Sequence, residues 1–85
     1  MIKKIIKILN EHGLHALPAS LFVKCAETFE SDVKIMKTGI EVNGKSIMGI
    51  LTLACEKGSK VVLTCDGKDE KQTIKALRKI LEGQD

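Results

Sequence analysis

Pro18 is the only proline among 85 residues, and it falls at the start of a segment with helical periodicity. Proline lacks a backbone N–H and its ring clashes with the preceding turn, so a helix accepts it only in its first turn. The apolar positions Ala19, Phe22, Ala26 and Phe29 recur at spacings of three and four, with Lys24, Glu27 and Thr28 largely off that stripe. A helix from about Ala16 to Phe29 follows, and Pro18 sets where it begins. Ahead of it, Gly13-Leu14-His15 is a glycine-led loop that delivers a histidine to the helix N-terminus. Free backbone N–H groups and the positive end of the helix dipole favour a phosphate there.

The other segments are short. Ile2 to Leu9 mixes isoleucine with lysine and reads as a strand with one buried face. Val33 to Met36 and Ile40 to Val42 alternate on either side of Thr38-Gly39, as the arms of a hairpin do. Ser46 is placed to cap a short helix from Ile47 to about Leu53. Lys60 to Cys65 is another strand, and Ile74, Leu77 and Leu81 mark a last helix. Asp69 followed by Gln72 has the capping-box spacing for its start, and Gly83 a stop for its end. The order β-α-β-β-α-β-α predicts one α+β domain over residues 1–85, an antiparallel sheet covered on one side by helices. A chain of this length buries only about 60% of its unfolded surface.

Composition narrows the function. Two phenylalanines and no Trp or Tyr leave no aromatic stacking platform, which argues against single-stranded nucleic-acid binding. The net charge of +3 is spread along the chain and fits a solvated surface as well as an acidic partner. Cys25, Cys55 and Cys65 are odd in number and lack C-x-x-C spacing, so neither a disulfide framework nor a closed zinc site is expected. No run is long enough to span a membrane and the N-terminal run has lysines inside it. The expectation is a cytoplasmic protein with reduced thiols, no membrane insertion and no cofactor.

Two motifs mislead. Gly39-Ile40-Glu41-Val42-Asn43-Gly44-Lys45-Ser46 matches the literal P-loop string, but its intervening residues look like a strand and the next helix is short. His12 and His15 share H-x-x-H spacing, but a metal site needs further ligands, and the cysteines lie far off in sequence. Phosphoryl transfer suits His15 better. A neutral imidazole is a nucleophile near physiological pH, and the backbone N–H groups of Ala16 and Leu17 at the helix start would stabilise the added charge. Leu14, Leu17, Ile47, Met48 and Leu51 are apolar residues that, exposed together, would form a docking patch; Ile47 and Leu51 could equally belong to the core.

With these residues in hand, the chain resembles the HPr family of histidine-containing phosphocarriers of the bacterial sugar phosphotransferase system. The resemblance rests on Gly13-Leu14-His15-Ala16-x-Pro18-Ala19 and Lys45-Ser46-Ile47-Met48-Gly49-Ile50, at the family's spacing. It implies an open-faced β-sandwich, a four-stranded antiparallel sheet with three helices on one face. It also implies a monomer whose His15 takes a phosphoryl group from enzyme I and passes it to the IIA domains of sugar permeases. Ser46 matches the family's regulatory phosphorylation site, which brings an HPr kinase/phosphorylase and a transcriptional regulator into the expected partners. Leu14, Leu17, Ser20, Leu21, Lys24, Ile47, Met48 and Leu51 match the docking surface.

One position departs. The family has arginine where this chain has Leu17, and that arginine supplies a charge-assisted contact to the phosphohistidine. Its loss is worth about 1.5–3 kcal/mol, or roughly ten- to a hundredfold in rate, unless a lysine such as Lys24 substitutes in part. The alternative reading is a regulatory binding protein of the same fold, switched at Ser46. RNA binding has only the positive charge in its favour.

Overall fold

The computed structural model describes residues 1–11 and 13–83. The elements are β1 (Ile2–Lys7), α1 (Ala16–Glu27), β2 (Asp32–Lys37), β3 (Ile40–Asn43), α2 (Ile47–Leu53), β4 (Lys60–Asp66) and α3 (Glu70–Leu81). Their order is the β-α-β-β-α-β-α read from the sequence. β1 and α1 each end two residues before the expected boundary, because Ile8 leaves the ladder to bond Ser59 C=O at 2.8 Å and Thr28 caps α1.

The strands form one sheet in the order β1-β4-β2-β3. β1 and β2 each pair antiparallel to β4, and β3 returns beside β2 through a hairpin whose tip holds Thr38 and Gly39 at positive φ. Successive side chains alternate between the two faces. Ile6, Val33, Ile35, Val61, Leu63 and Cys65 turn inward and are at most 2% exposed. The helices close over that face with Ala19, Phe22 and Ala26 of α1, Ile50 and Leu53 of α2, and Ile74, Leu77 and Leu81 of α3. The core is aliphatic, as a chain with two phenylalanines requires. Among the described residues no helix lies on the other face of the sheet.

The P-loop string is a hairpin arm. Ile40–Asn43 is strand, Gly44 N–H donates to Val33 C=O at 2.7 Å, and Lys45 Nζ donates to Phe29 C=O at 2.9 Å. No loop is left to wrap a phosphate.

The capping box expected at α3 does not form. Asp69 is the N-cap, but its carboxylate leaves the helix and accepts instead from the N–H groups of Glu30 and Ser31 at 2.9 and 3.0 Å and from Ser31 Oγ. Thr73 Oγ1 completes the shell at 3.2 Å. The reason is tertiary. Ser31 and Thr73 are fully buried, and a carboxylate between them ties the α1–β2 connection to the head of α3. Gly67 takes part in the same junction, since a Cβ there would lie 2.7 Å from Ser31 Cα. Glu70, rather than Gln72, bonds back into the turn, its Oε1 accepting from Gly67 N–H at 3.1 Å.

These donors, led by Ser31 Oγ and Glu30 N–H, hold the Asp69 carboxyl down at about 2, against an ordinary 3.8. A depressed folded-state pKa stabilises above the unfolded value and is lost as pH falls through the folded one. Stability should therefore decline between pH about 4 and 2. Asp69→Asn should be less stable at neutral pH and flatter across that window, as chemical denaturation at stepped pH will read.

Candidate functional site

The site begins with how the chain leaves β1. Leu9 N–H donates to Leu81 C=O at 2.9 Å, and Gly13 N–H closes a turn onto Asn10 C=O at 3.0 Å. Gly13 has φ +69, and a Cβ there would stand 2.9 Å from Glu56 Cα. Only glycine lets the loop lie this close to the connection after α2. Leu14 N–H then donates to Cys55 C=O at 2.8 Å. The loop that carries His15 is thus fastened to the end of α2 by backbone.

His15 follows in extended conformation (φ −97, ψ −166) as the N-cap of α1. Its C=O accepts the first intrahelical bond, from Ala19 N–H at 2.8 Å, while its imidazole makes no capping bond and is exposed. Ala16, Leu17 and Pro18 fill the first turn. The first N–H groups of a helix have no intrahelical acceptor; Pro18 has none to offer, which leaves those of Ala16 and Leu17 beside the histidine. No acidic residue stands in that turn to compete with an anion.

The second part of the site is the head of α2. Ser46 is its N-cap, and Ser46 Oγ accepts from Gly49 N–H at 3.2 Å, as the sequence predicts. Gly49 fits against β3, where a Cβ would come 3.2 Å from Val42 Cβ. The C-terminus is held differently. Ala54 is left-handed (φ 50), and Lys37 Nζ reaches from the end of β2 to Ala54 C=O at 2.9 Å. The ammonium neutralises the negative end of the helix, a pairing that no local sequence pattern announces.

Six of the eight expected docking residues lie exposed on α1 and α2, which pack on one another. Leu17 is 67% and Met48 70% exposed, Leu21 51%, Ile47 and Leu51 37% each. Lys24 is exposed and Ser20 half-buried.

Leu14 does not belong to this surface: it is 2% exposed, in the core. The turn that sends His15 outward sends its neighbour inward. Leu14 and Ala19 stand at the N′ and N4 positions of a hydrophobic staple, both buried, and that spacing was the available signal. Lys24 also cannot stand in for an arginine beside the histidine. It lies in the last turn of α1, about 13 Å along the axis from His15 at 1.5 Å per residue. There it complements the helix C-terminus.

The cysteines offer no rival nucleophile. Burial raises the thiols of Cys25 and Cys55, and burial with the nearby carboxylates of Glu70 and Asp69 pushes Cys65 up to about 11. His12, the other half of the H-x-x-H pair, lies outside the described residues. Among the described residues no group of three or more His, Cys, Asp or Glu could hold a metal ion. No helix among them is long and apolar enough to cross a membrane.

Comparison with known proteins agrees with this geometry. The family model for the PTS HPr component phosphorylation site matches residues 2–83. The phosphocarrier protein HPr of Neisseria meningitidis is 42% identical over 98% of this chain and 93% of its own length. The HPr-like protein Crh of Halalkalibacterium halodurans is also 42% identical, over 96% of this chain and 98% of its own. Among solved structures, HPr of Thermoanaerobacter tengcongensis superposes with a TM-score of 0.93 at 44% identity, covering 98% of this chain and 93% of that one. Fold, length and both motifs converge, and the chain belongs to the HPr family of bacterial phosphotransferase-system phosphocarriers, which are group carriers rather than enzymes.

Proposed function

We propose that this chain carries a phosphoryl group on His15, accepting it from enzyme I and passing it to IIA domains of sugar permeases. The observation that carries the reading is the position of His15: an exposed imidazole at the N-cap of α1, beside two first-turn N–H groups, with no acid in that turn. In each transfer an imidazole nitrogen attacks phosphorus, a P–N bond forms on the acceptor, and the donor's P–N bond breaks. The helix N-terminus stabilises the negative charge that arrives. The apolar residues exposed on α1 and α2 give a partner its docking contact, with Leu17 and Met48 the most exposed.

Leu17 sets how well this works. It occupies the N2 position, where the family's arginine would meet the phosphate, and it extends the apolar surface up to the histidine. Transfer then rests on backbone N–H groups without a charged clamp. With phosphoenolpyruvate and enzyme I, the wild type should form an acid-labile, base-stable adduct and His15→Ala none. Leu17→Arg should raise the transfer rate roughly ten- to a hundredfold. An unlabelled wild type beside a working control carrier sinks the proposal, and an unchanged rate in Leu17→Arg shows that another group already fills the arginine's role.

A second reading, a regulatory binding protein switched at Ser46, draws on two observations. The chain is as similar to Crh as to HPr, and Ser46 Oγ caps α2 next to the exposed Ile47 and Met48. A phosphate on Ser46 would add about −1.5 to −2 charge beside the apolar docking residues. Ser46→Ala should lose about 1 kcal/mol of stability with the cap and leave transfer from enzyme I intact. Ser46→Asp should keep the cap and slow transfer. Denaturant unfolding and transfer kinetics on the two variants separate capping from switching; equal transfer rates would remove the basis for a switch.

A further inference from the structure

The sheet face that carries no helix is patterned across its strands. The register aligns Ile5 of β1, Val62 of β4 and Met36 of β2 in one row, which Glu41 of β3 closes. An exposed sheet face is ordinarily polar, yet here Ile5 is 73% exposed and Val62 and Met36 are only half-buried. The row on one side of this stripe contains Lys3, Thr64 and Lys34; the row on the other pairs Lys7 with Lys60. All four lysines are exposed, and among the described residues none of them is in an ion pair. This surface lies on the opposite side of the sheet from His15 and the helices.

We propose that this face binds an acidic amphipathic helix of a partner protein, laid across the strands along the Ile5–Val62–Met36 stripe. The dimensions fit. The two lysine rows are four residues apart along a strand, about 14 Å, and a helix with its side chains is about 10–12 Å wide. The Ile5–Val62–Met36 stripe with Glu41 at its end spans four strands, about 14 Å at 4.8 Å per gap, or nearly three helical turns. A helix with an apolar seam and carboxylates on both flanks therefore sets its seam on Ile5, Val62 and Met36 and its acids against the lysines. Glu41 fixes direction, because the positive end of the helix dipole belongs over that carboxylate.

Charge decides between occupants. Face-to-face pairing of two copies that overlays their stripes sets lysine row on lysine row. An anionic membrane meets three carboxylates on the same face, Glu41, Asp32 and Asp66, whereas a helix of limited length touches only Glu41, at its own positive end.

The test uses the full chain, labelled with nitrogen-15, and a stapled three-turn peptide with a leucine seam flanked by glutamates. Amide shifts should map to β1, β4 and β2, and the same peptide with lysines in place of glutamates should leave them unmoved. Lys3→Glu/Lys34→Glu should weaken binding about tenfold, and Ile5→Asp should weaken it too. None of these residues touches His15, so phosphorylation by enzyme I should stay at the wild-type rate and report that each variant is folded. The proposal is overturned by absent shifts, by shifts on α1 and α2, or by equal binding of both peptides. Sedimentation showing a dimer that excludes the peptide, or phosphatidylglycerol vesicles binding where the peptide does not, would overturn it in favour of those occupants.

Discussion

The hydrogen bond from Leu14 N–H to Cys55 C=O is the contact on which the functional end of the molecule depends. It joins two connections far apart in sequence, the one that carries His15 into α1 and the one that leaves α2. Gly13 permits it by lacking the side chain that would strike Glu56, and Leu14 completes it by entering the core. Lys37 secures the other partner, since its ammonium holds the end of α2 from the last position of β2. The histidine is therefore placed by backbone and by two packed helices, with its side chain exposed.

Much of this was legible in the sequence because the signals are local. Pro18 located the start of α1, Ser46 the start of α2, and the spacing of Ile74, Leu77 and Leu81 the buried face of α3. Each rests on a rule that acts within one or two turns. What stayed hidden involves partners distant along the chain. Asp69 looked like a capping-box residue, and a buried serine from the α1–β2 connection claimed its carboxylate instead. Lys37 gave no sign that it would cap a helix. Leu14 hides for another reason: its neighbours His15 and Leu17 are exposed, and only the staple spacing distinguishes it from them.

Around His15 the electrostatics come from peptide dipoles more than from charged side chains. The first turn of α1 holds no ionic residue, and Lys24 lies at the far end of the helix. Hydrogen bonds from N–H groups act at short range, so under the proposed function they would bear only on an anion already in contact with them. Ionic attraction across the wider surface has to come from lysines elsewhere. The open sheet face, with its two rows, is where four of them are aligned in pairs. The molecule thus has one face that can hold a phosphate at close quarters and another, on the far side of the sheet, with the longer electrostatic reach.

Pro18 does more than start a helix. By occupying the third position of α1 it deletes the donor that would otherwise stand beside those of Ala16 and Leu17. A phosphoryl group on a ring nitrogen has three terminal oxygens, and the helix end has two N–H groups to give them. Among the described residues, the first turn of α1 has no third N–H group for the remaining oxygen. Under the proposed phosphoryl carriage, an oxygen that the helix end leaves open would be the handle by which the next acceptor takes hold, whereas a turn with three donors would hold the group more tightly and release it more slowly.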